Sequence, residues 1–484
     1  MARNHKLIAP LAGVAIAAFI SGSASGQQFI NNTTDIPSGN PNNNSRSENI
    51  DFADIDLDGD WDAVFADGGD GGNDQNRLWL NRGPGQVGLF QDQTNARVPT
   101  FSDQSRDIEF VDFDNDGDAD VYVSNTSQLS NQSNRWWTNS GVGSGTYVDE
   151  TAARWVNVGV NDGSTTFSSV APGTVLGSGG FIDWSCDCDF GDLDNDGDLD
   201  LFHSTYGGNF TGNVPSRIYL NDGNGFFEEF NPSGFQLTGT TLNNGSPAIW
   251  AEGNQQNGTQ NTNGSLADIN SSPLDVDLMD VDGDLDLDVL HGGRNEPPRL
   301  FENRMTTGGS LIAFRDVTFA RLAQVATGGE AGLGNYEQEF GDIDGDGDVD
   351  LYGLNWSGFN DTIQFNDGAG NFGNFIILGG SGADDNEGDF FDYDNDGDLD
   401  IFVANFSGFD KLYQNNGSGS FITQNNEIPN VSNGASLDAD IADVDNDGDY
   451  DVFVSEDGNG ANIYFENTTN TNDTTAPSLF RLEQ

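Results

Sequence analysis

Asp112-Phe113-Asp114-Asn115-Asp116-Gly117-Asp118-Ala119-Asp120 places five carboxylates within nine residues. Carboxylates held that close repel one another strongly unless a cation or water compensates. Ile108-Glu109-Phe110-Val111 precedes the stretch and Val121-Tyr122-Val123 follows it. Runs rich in β-branched and aromatic residues mark strands. The acidic stretch is therefore the turn of a hairpin, with Gly117 at the sharpest point of the bend.

The pattern Asp-x-Asp-x-Asp-Gly-Asp-x-Asp recurs along the chain. Its aspartates are Asp54, Asp56, Asp58, Asp60 and Asp62 in the first copy, then Asp112, Asp114, Asp116, Asp118 and Asp120. The third copy has Asp192, Asp194, Asp196, Asp198 and Asp200. The fifth has Asp342, Asp344, Asp346, Asp348 and Asp350, and the sixth Asp392, Asp394, Asp396, Asp398 and Asp400. The seventh has Asp443, Asp445, Asp447, Asp449 and Asp451. The fourth copy is defective: Asp280, Asp282, Asp284, Asp286 and Asp288 put Leu285 where glycine belongs. The strand Val289-Leu290 supports that register; the alternative turns on Gly283 and leaves Leu278 at position one. In either register this loop is expected to be the weakest or empty.

Successive copies start 50 to 88 residues apart. The shortest interval suits one four-stranded propeller blade, and the longer ones carry insertions. A third strand follows each hairpin, as in Arg77-Leu78-Trp79-Leu80-Asn81 and Lys411-Leu412-Tyr413-Gln414-Asn415. A Gly-rich turn then leads to a fourth strand opening on Phe90, Tyr147, Phe226, Phe314, Phe372 or Phe421. A lone four-stranded sheet cannot bury both faces, so such units stack around an axis. The expected fold is all-β, a seven-bladed β-propeller.

The seventh unit has no fourth strand after Asn467. Phe29-Ile30-Asn31-Asn32-Thr33 matches Phe90-Gln91-Asp92-Gln93-Thr94, and Ile36-Pro37 matches Val98-Pro99. The N-terminal strand is therefore expected to close the last blade and remove an exposed sheet edge. Two insertions, Trp155 to Asp183 and Asn231 to Ser272, read as surface loops; the second includes Gly253 to Gly264, built only from Gly, Asn, Gln and Thr.

The 484 residues carry a formal charge of −62, with 17 Lys and Arg against 79 Asp and Glu. Such a chain repels itself unless cations bind, and nucleic acid is disfavoured as a partner. Gly numbers 64 and Phe 34, a composition of turns and an aromatic core. Arg3, Lys6, the apolar run Leu7 to Ile20 and the small residues Ser21 to Gly26 read as an export signal. The mature chain is expected to start near Gln27, to have no membrane span and to work outside the cell or at its surface. Residues 27–472 form the propeller, and 473–484 a flexible tail. Cys186 and Cys188 read equally well as free thiols or as a strained local disulfide.

Oxygen donors at positions one, three, five and nine, with the carbonyl of position seven, match the calcium-loop pattern. No thiolate or imidazole is present in the loops, which disfavours zinc and copper. The units resemble the FG-GAP/VCBS repeats of secreted bacterial proteins and, more remotely, the propeller repeats of integrin α-chains. That resemblance covers nearly all of Gln27 to Asn467. It implies seven blades, about six to seven structural Ca2+ sites in the first hairpin of each blade, and the loop aspartates as ligands. A literal Phe-Gly…Gly-Ala-Pro signature is not conspicuous, so integrin-like partner binding does not carry over.

Acids also stand five residues before each loop (Asp107, Asp187, Asp275, Glu337, Glu387 and Asp438, with Asn49 in the first) and three before it (Asp51, Glu109, Asp189, Asp277, Glu339, Asp389 and Asp440). Period-two alternation puts them on one strand face. If these strands are innermost, the acids ring a central channel that holds cations or ordered water. His203 and His291 occupy equivalent positions and fit packing between blades better than a site. The sequence-based reading is a secreted calcium-binding module for adhesion, ligand binding or display, whose partner is an extracellular protein or glycan. It is not an enzyme in that reading; the alternative is a polysaccharide lyase on the same fold, which the scarcity of Lys, Arg and His disfavours. A purely structural surface component is a third reading.

Overall fold

Across the acidic turn of the second repeat, Val111 pairs with Asp120 and Phe110 with Val121 in an antiparallel ladder. This computed structural model describes residues 27–37, 46–69, 71–126, 132–156, 175–176, 181–182, 184–206, 216–230, 250–254, 261–266, 273–293, 298–305, 314–323, 336–356, 358–431, 435–457 and 461–469. The expected export signal, the tail beyond residue 469 and most of both insertions lie outside the described residues.

Each repeat forms an antiparallel unit, with four strands in sequence order in blades 1, 2, 3, 5 and 6; blades 4 and 7 modify this plan. Blade 1 runs through Ser47–Ala53, Asp62–Asp67, Arg77–Asn81 and Phe90–Asp92. Blades 2 to 6 begin with Ser105–Val111, Ser185–Gly191, Pro273–Met279, Glu337–Gly341 and Asp385–Phe391. Blade 7 takes Ser436–Ala442, Asp451–Glu456 and Ile463–Asn467 from the C-terminal end and Phe29–Asn31 from the N-terminal end. Phe29 pairs with Asn467 and Asn31 with Phe465, so the N-terminal strand closes the ring as expected. The described molecule is a seven-bladed β-propeller.

The second strand of each blade is buried along its whole length, because neighbouring blades cover both its faces. Between blades 1 and 7, Ile50, Phe65, Trp79 and Phe90 pack on Val444, Phe453 and Tyr464. Between blades 6 and 7, Phe29 joins Phe402, Leu412, Val452 and Phe465. A comparable cluster fills each of the other five interfaces. A fully buried Phe or Leu contributes roughly 1.5–3 kcal/mol relative to an exposed one. The core is thus a chain of interface clusters with no single centre, as expected where each unit buries itself against its neighbours.

Chain crossings on the outside follow the same rule. Trp155 lies parallel to Phe227 of the next blade, and Leu322 to Phe372. At the N-terminus, Phe90 N–H donates to Asp35 O, at 2.9 Å. The N-terminal segment therefore completes blade 7 and then binds the outside of blade 1, which is why Ile36 is buried in the same way as Val98.

Three findings depart from the sequence-based expectations. The second insertion is not only a surface loop: Ala251–Asn254 runs parallel to Phe314–Asp316 and pairs with Asn261–Leu266, making blade 4 six-stranded. Trp250 anchors it, fully buried, with its indole N–H donating to Ser216 O. In the first insertion Trp155 is buried, and Val175–Leu176 pairs with Phe181–Ile182. In blade 3 the fourth strand opens on Phe227, fully buried, while Phe226 is exposed, so the expected aromatic was one residue early.

Candidate metal centres

In every hairpin the first aspartate organises the turn. Asp112 Oδ1 accepts from Asp116 N–H and its Oδ2 from Gly117 N–H, each at 3.0 Å. Asp54, Asp192, Asp392 and Asp443 do the same in their loops. Position six is left-handed, with φ between 92° and 98° for Gly59, Gly117, Gly197, Gly347, Gly397 and Gly448. Leu285 takes that position at φ 72°, and Met279 pairs with Asp288, which settles the register in favour of Asp280 as position one. Asp280 accepts from Asp284 and Leu285 N–H, so the fourth loop keeps the common shape. No atom lies within 4 Å of a Cβ placed on Gly59, Gly117 or Gly197, so glycine is favoured here by backbone angle and not by space.

Positions one, three and nine converge. Carboxylate oxygens of Asp112, Asp114 and Asp120 lie within 4.8 Å of one another, as do those of Asp192, Asp194 and Asp200, and of Asp280, Asp282 and Asp288. In the first loop Asp54, Asp56 and Asp58 form the group. The aspartates at position five, Asp58, Asp116, Asp196, Asp284, Asp346, Asp396 and Asp447, stand exposed on the rim. Those at position seven sit deeper, with Asp60, Asp118, Asp198, Asp286 and Asp449 buried. The side chains of Asp286 and Asp449 accept from Asn195 and Asn395 of the preceding blades.

The aspartate at position nine joins the loop to the rest of the ring. Asp120 Oδ1 accepts from Asn139 N–H at 2.7 Å, and the Asn139 side-chain amide donates to Ile55 O of blade 1. The same pair of contacts recurs at Asn81, Asn221, Asn303, Asn366, Asn415 and Asn467, each reaching position two of the preceding loop. Every loop is thus held by the blade after it. Sequence alone showed the recurring Asn at the end of the third strand but not this role.

Burial, opposed by the Asn N–H, raises Asp62, Asp200 and Asp288 to about 8, and Asp120 and Asp400 to about 9. Burial followed by repulsion from neighbouring loop aspartates raises Asp394 and Asp445 at position three to about 6. At position three, Oδ1 of Asp114, Asp194, Asp282, Asp344 and Asp394 is buried with no hydrogen-bond partner. An orphaned acceptor aimed at converging carboxylates is an arrangement that a hard cation completes. The donor set is oxygen only, so the residues fit such an ion.

Three arginines reach these loops from an element the sequence reading missed. Thr94–Arg97, Thr151–Arg154 and Thr318–Arg321 are single helical turns after the fourth strand. Their Thr hydroxyls accept from Leu78, Trp136 and Leu300 N–H. Arg97, Arg154 and Arg321 stand 3.7, 3.0 and 3.5 Å from Asp56, Asp114 and Asp282, and each also donates to a carbonyl in the next blade's Gly-rich turn. The shared Thr-x-Ala-Arg signature was the available signal.

The first strands are innermost, and their side chains line an axial cavity of about 520 Å³. Asp51, Asp107, Glu109, Asp187, Asp275, Glu337, Glu339, Glu387, Asp389, Asp438 and Asp440 all line it. Asp189 and Asp277 are not among the lining residues. Many of these acids serve as stitches. An innermost strand has free N–H groups along its inner edge, and such groups need acceptors. Asp438 accepts from Ile50 N–H and Asp187 from Val276 N–H, both at 2.6 Å and both across a blade boundary. Asp189 accepts from Phe190 and from Leu278 of the next blade.

Cys186 and Cys188 are buried thiols not joined by a disulfide, which decides between the two alternatives. His203 and His291 are both buried in the blade cores, and His291 packs on Phe202 and Phe301 at 5.3 Å. Burial, then the Arg299 charge, lowers His291 to about 3, so it is a neutral core residue.

The family model for the FG-GAP-like repeat matches residues 54–123 and 392–454, which are parts of blades 1 and 2 and of blades 6 and 7. The chain is a seven-bladed β-propeller that carries FG-GAP-like repeats over those residues. No curated protein matches it in sequence. Among solved structures, BBS1N in complex with ARL6DN, soaked with lead, is similar at 11% identity and TM-score 0.44, covering 89% of this chain and 95% of that one. Rhamnogalacturonan Lyase PL11 of Bacillus licheniformis is similar at 12% identity and TM-score 0.42, covering 90% and 74%. Likeness at this level carries no functional reading. No helix among the described residues is long and apolar enough to cross a membrane.

Proposed function

We propose that the protein is a secreted calcium-binding propeller that displays its surface for adhesion or ligand binding, with an extracellular protein or glycan as partner. The observation that carries calcium is the orphaned third-position carboxylate oxygen, repeated in five loops beside the buried aspartate at position nine. Calcium would be held by positions one, three and nine, with position five at the rim, and would supply the positive charge that seven acidic turns need. Secretion rests on the apolar N-terminal run. The non-catalytic reading is supported by the burial of His203 and His291 inside the blades.

Because a bound ion stabilises only the folded chain, binding energy becomes folding energy. Each site occupied at a hundred times its Kd adds about 2.7 kcal/mol. Thermal melts with calcium and with excess chelator test the reading. A melting temperature lowered by tens of degrees in chelator is expected. Equal melts, with no calcium retained after gel filtration, would refute it.

A further inference from the structure

Position five before the loop holds Asp in blades 2, 3, 4 and 7 but Glu in blades 5 and 6. The shorter Asp187 and Asp438 reach sideways and are consumed by backbone N–H groups of the next blade. Glu337 and Glu387 carry their carboxylates one methylene further along, toward the axis. There they meet Glu339, and oxygens of all three lie within 4.8 Å of one another. Glu337 also contacts Asp275 side chain to side chain, and likewise Glu387. Two carboxylates in contact need a proton or a cation between them.

A second observation comes from Asp275. It is 5% exposed, it lines the cavity, and its Oδ2 is buried with no hydrogen-bond partner. Burial, followed by the neighbouring carboxylates, pushes Asp275, Glu337 and Glu387 well above the usual range. Positive charge is scarce nearby. Arg106 is the sole basic side chain among the lining residues described, and it is engaged by Glu48 at 2.7 Å and by the Tyr336 hydroxyl.

We infer that the axial cavity holds a divalent cation, bound by Glu337, Glu339 and Glu387 with Asp275 as a fourth donor, separate from the hairpin sites. The donors are hard oxygens alone, and glutamates from two blades with an aspartate from a third suit an ion of flexible coordination such as calcium. The ion would tie together blades 4, 5 and 6 on the inside, where no backbone ladder links these blades among the described residues.

The test uses the full chain. Crystals grown in calcium and measured at long wavelength should show an anomalous peak on the axis between Glu337 and Glu387. Occupied hairpins with no axial peak would overturn the inference in favour of shared protons. The double variant E337Q/E387Q, compared with wild type by elemental analysis after gel filtration in calcium, should lose one ion per chain. An unchanged count in a folded variant would also overturn it, and if the variant fails to fold the wild-type crystal decides. An axial peak with unoccupied hairpins would leave this site standing while removing the calcium reading of the loops.

Discussion

Replacing Phe29 with alanine should open the ring at its seam. Phe29 is fully buried, with its ring centroid 6.2 Å from Phe391 and 6.3 Å from Tyr393. Phe→Ala in a packed core costs about 3–5 kcal/mol. The strand that bears this loss is three residues long, and its neighbour Ile30 is 40% exposed and adds little. What remains is a short backbone ladder, including Thr468 N–H to Gln28 O at 3.0 Å and Phe29 N–H to Glu427 O at 2.9 Å, side-chain bonds such as Gln28 Nε2 to Tyr393 O at 2.6 Å, and the buried Ile36 beyond the strand. Each such bond contributes about 1 kcal/mol net, against about 1–2 kcal/mol of backbone entropy per ordered residue. The seam therefore frays before the rest of the ring. At about 1.4 kcal/mol per decade, a loss of 3 kcal/mol corresponds to roughly a hundredfold more opening. Hydrogen exchange read by mass spectrometry should show Phe465 to Thr468 exchanging about that much faster. Exchange in Asp200 to Thr205 of blade 3 should hold at the wild-type rate, and Ile30→Ala should change the seam only slightly. A folded Phe29→Ala protein with wild-type protection at Phe465 to Thr468 would refute the seam argument.

Asn221→Ala removes an amide that donates to Phe113 O at 2.8 Å and Leu199 O at 3.0 Å, and a loss of about 1–3 kcal/mol in urea unfolding is expected; no change would mean that these carbonyls find other donors. Leu285→Gly relieves a left-handed residue that is 82% exposed and packs on little, so the melting temperature should rise slightly. A fall would show that Leu285 is held by contacts outside the loop. Burial, and then the charge of Asp410, raises Glu456 to about 7, so the folded chain keeps a proton that the unfolded chain releases. Its contribution to stability is fully present below the unfolded value near 4.5 and is lost as pH rises through about 7. Glu456→Gln should flatten that slope across the same window in pH-dependent unfolding, and an unaltered slope would remove Glu456 from the account.

The repeat and its register were legible because the nine-residue loop is local: its acids, its glycine and the flanking strands lie within one hairpin. The strand swap was legible for a different reason, since Phe29 to Pro37 repeats the pattern of Phe90 to Pro99. Properties that arise between blades were not visible. Asn139 is an ordinary strand-ending residue until Ile55 of another blade lies beside its amide. Arg154 looks like a solvated charge until Asp114 and the Gly225 turn close around it. The strand Ala251–Asn254 has almost no intrinsic β signal, and the open edge of blade 4 imposes its conformation, as tertiary context does where propensity is weak. Most of the acids expected around the channel do line the cavity, with Asp189 and Asp277 as exceptions. Their use as acceptors for the inner-edge N–H groups depends on the next blade's position and so had no sequence signature.

The closure of blade 7 has a consequence for synthesis. Gln28 and Asn467 are 439 residues apart in the chain yet bonded to each other in the ring. The outermost strand of the last blade is therefore the first to be made, and it must wait as unpaired polypeptide until almost every other residue has followed. Contacts of such long range form late and slowly. Until then Phe29 has nowhere to bury itself, so a ribosome that stalls anywhere before residue 465 leaves an open arc with a loose hydrophobic end.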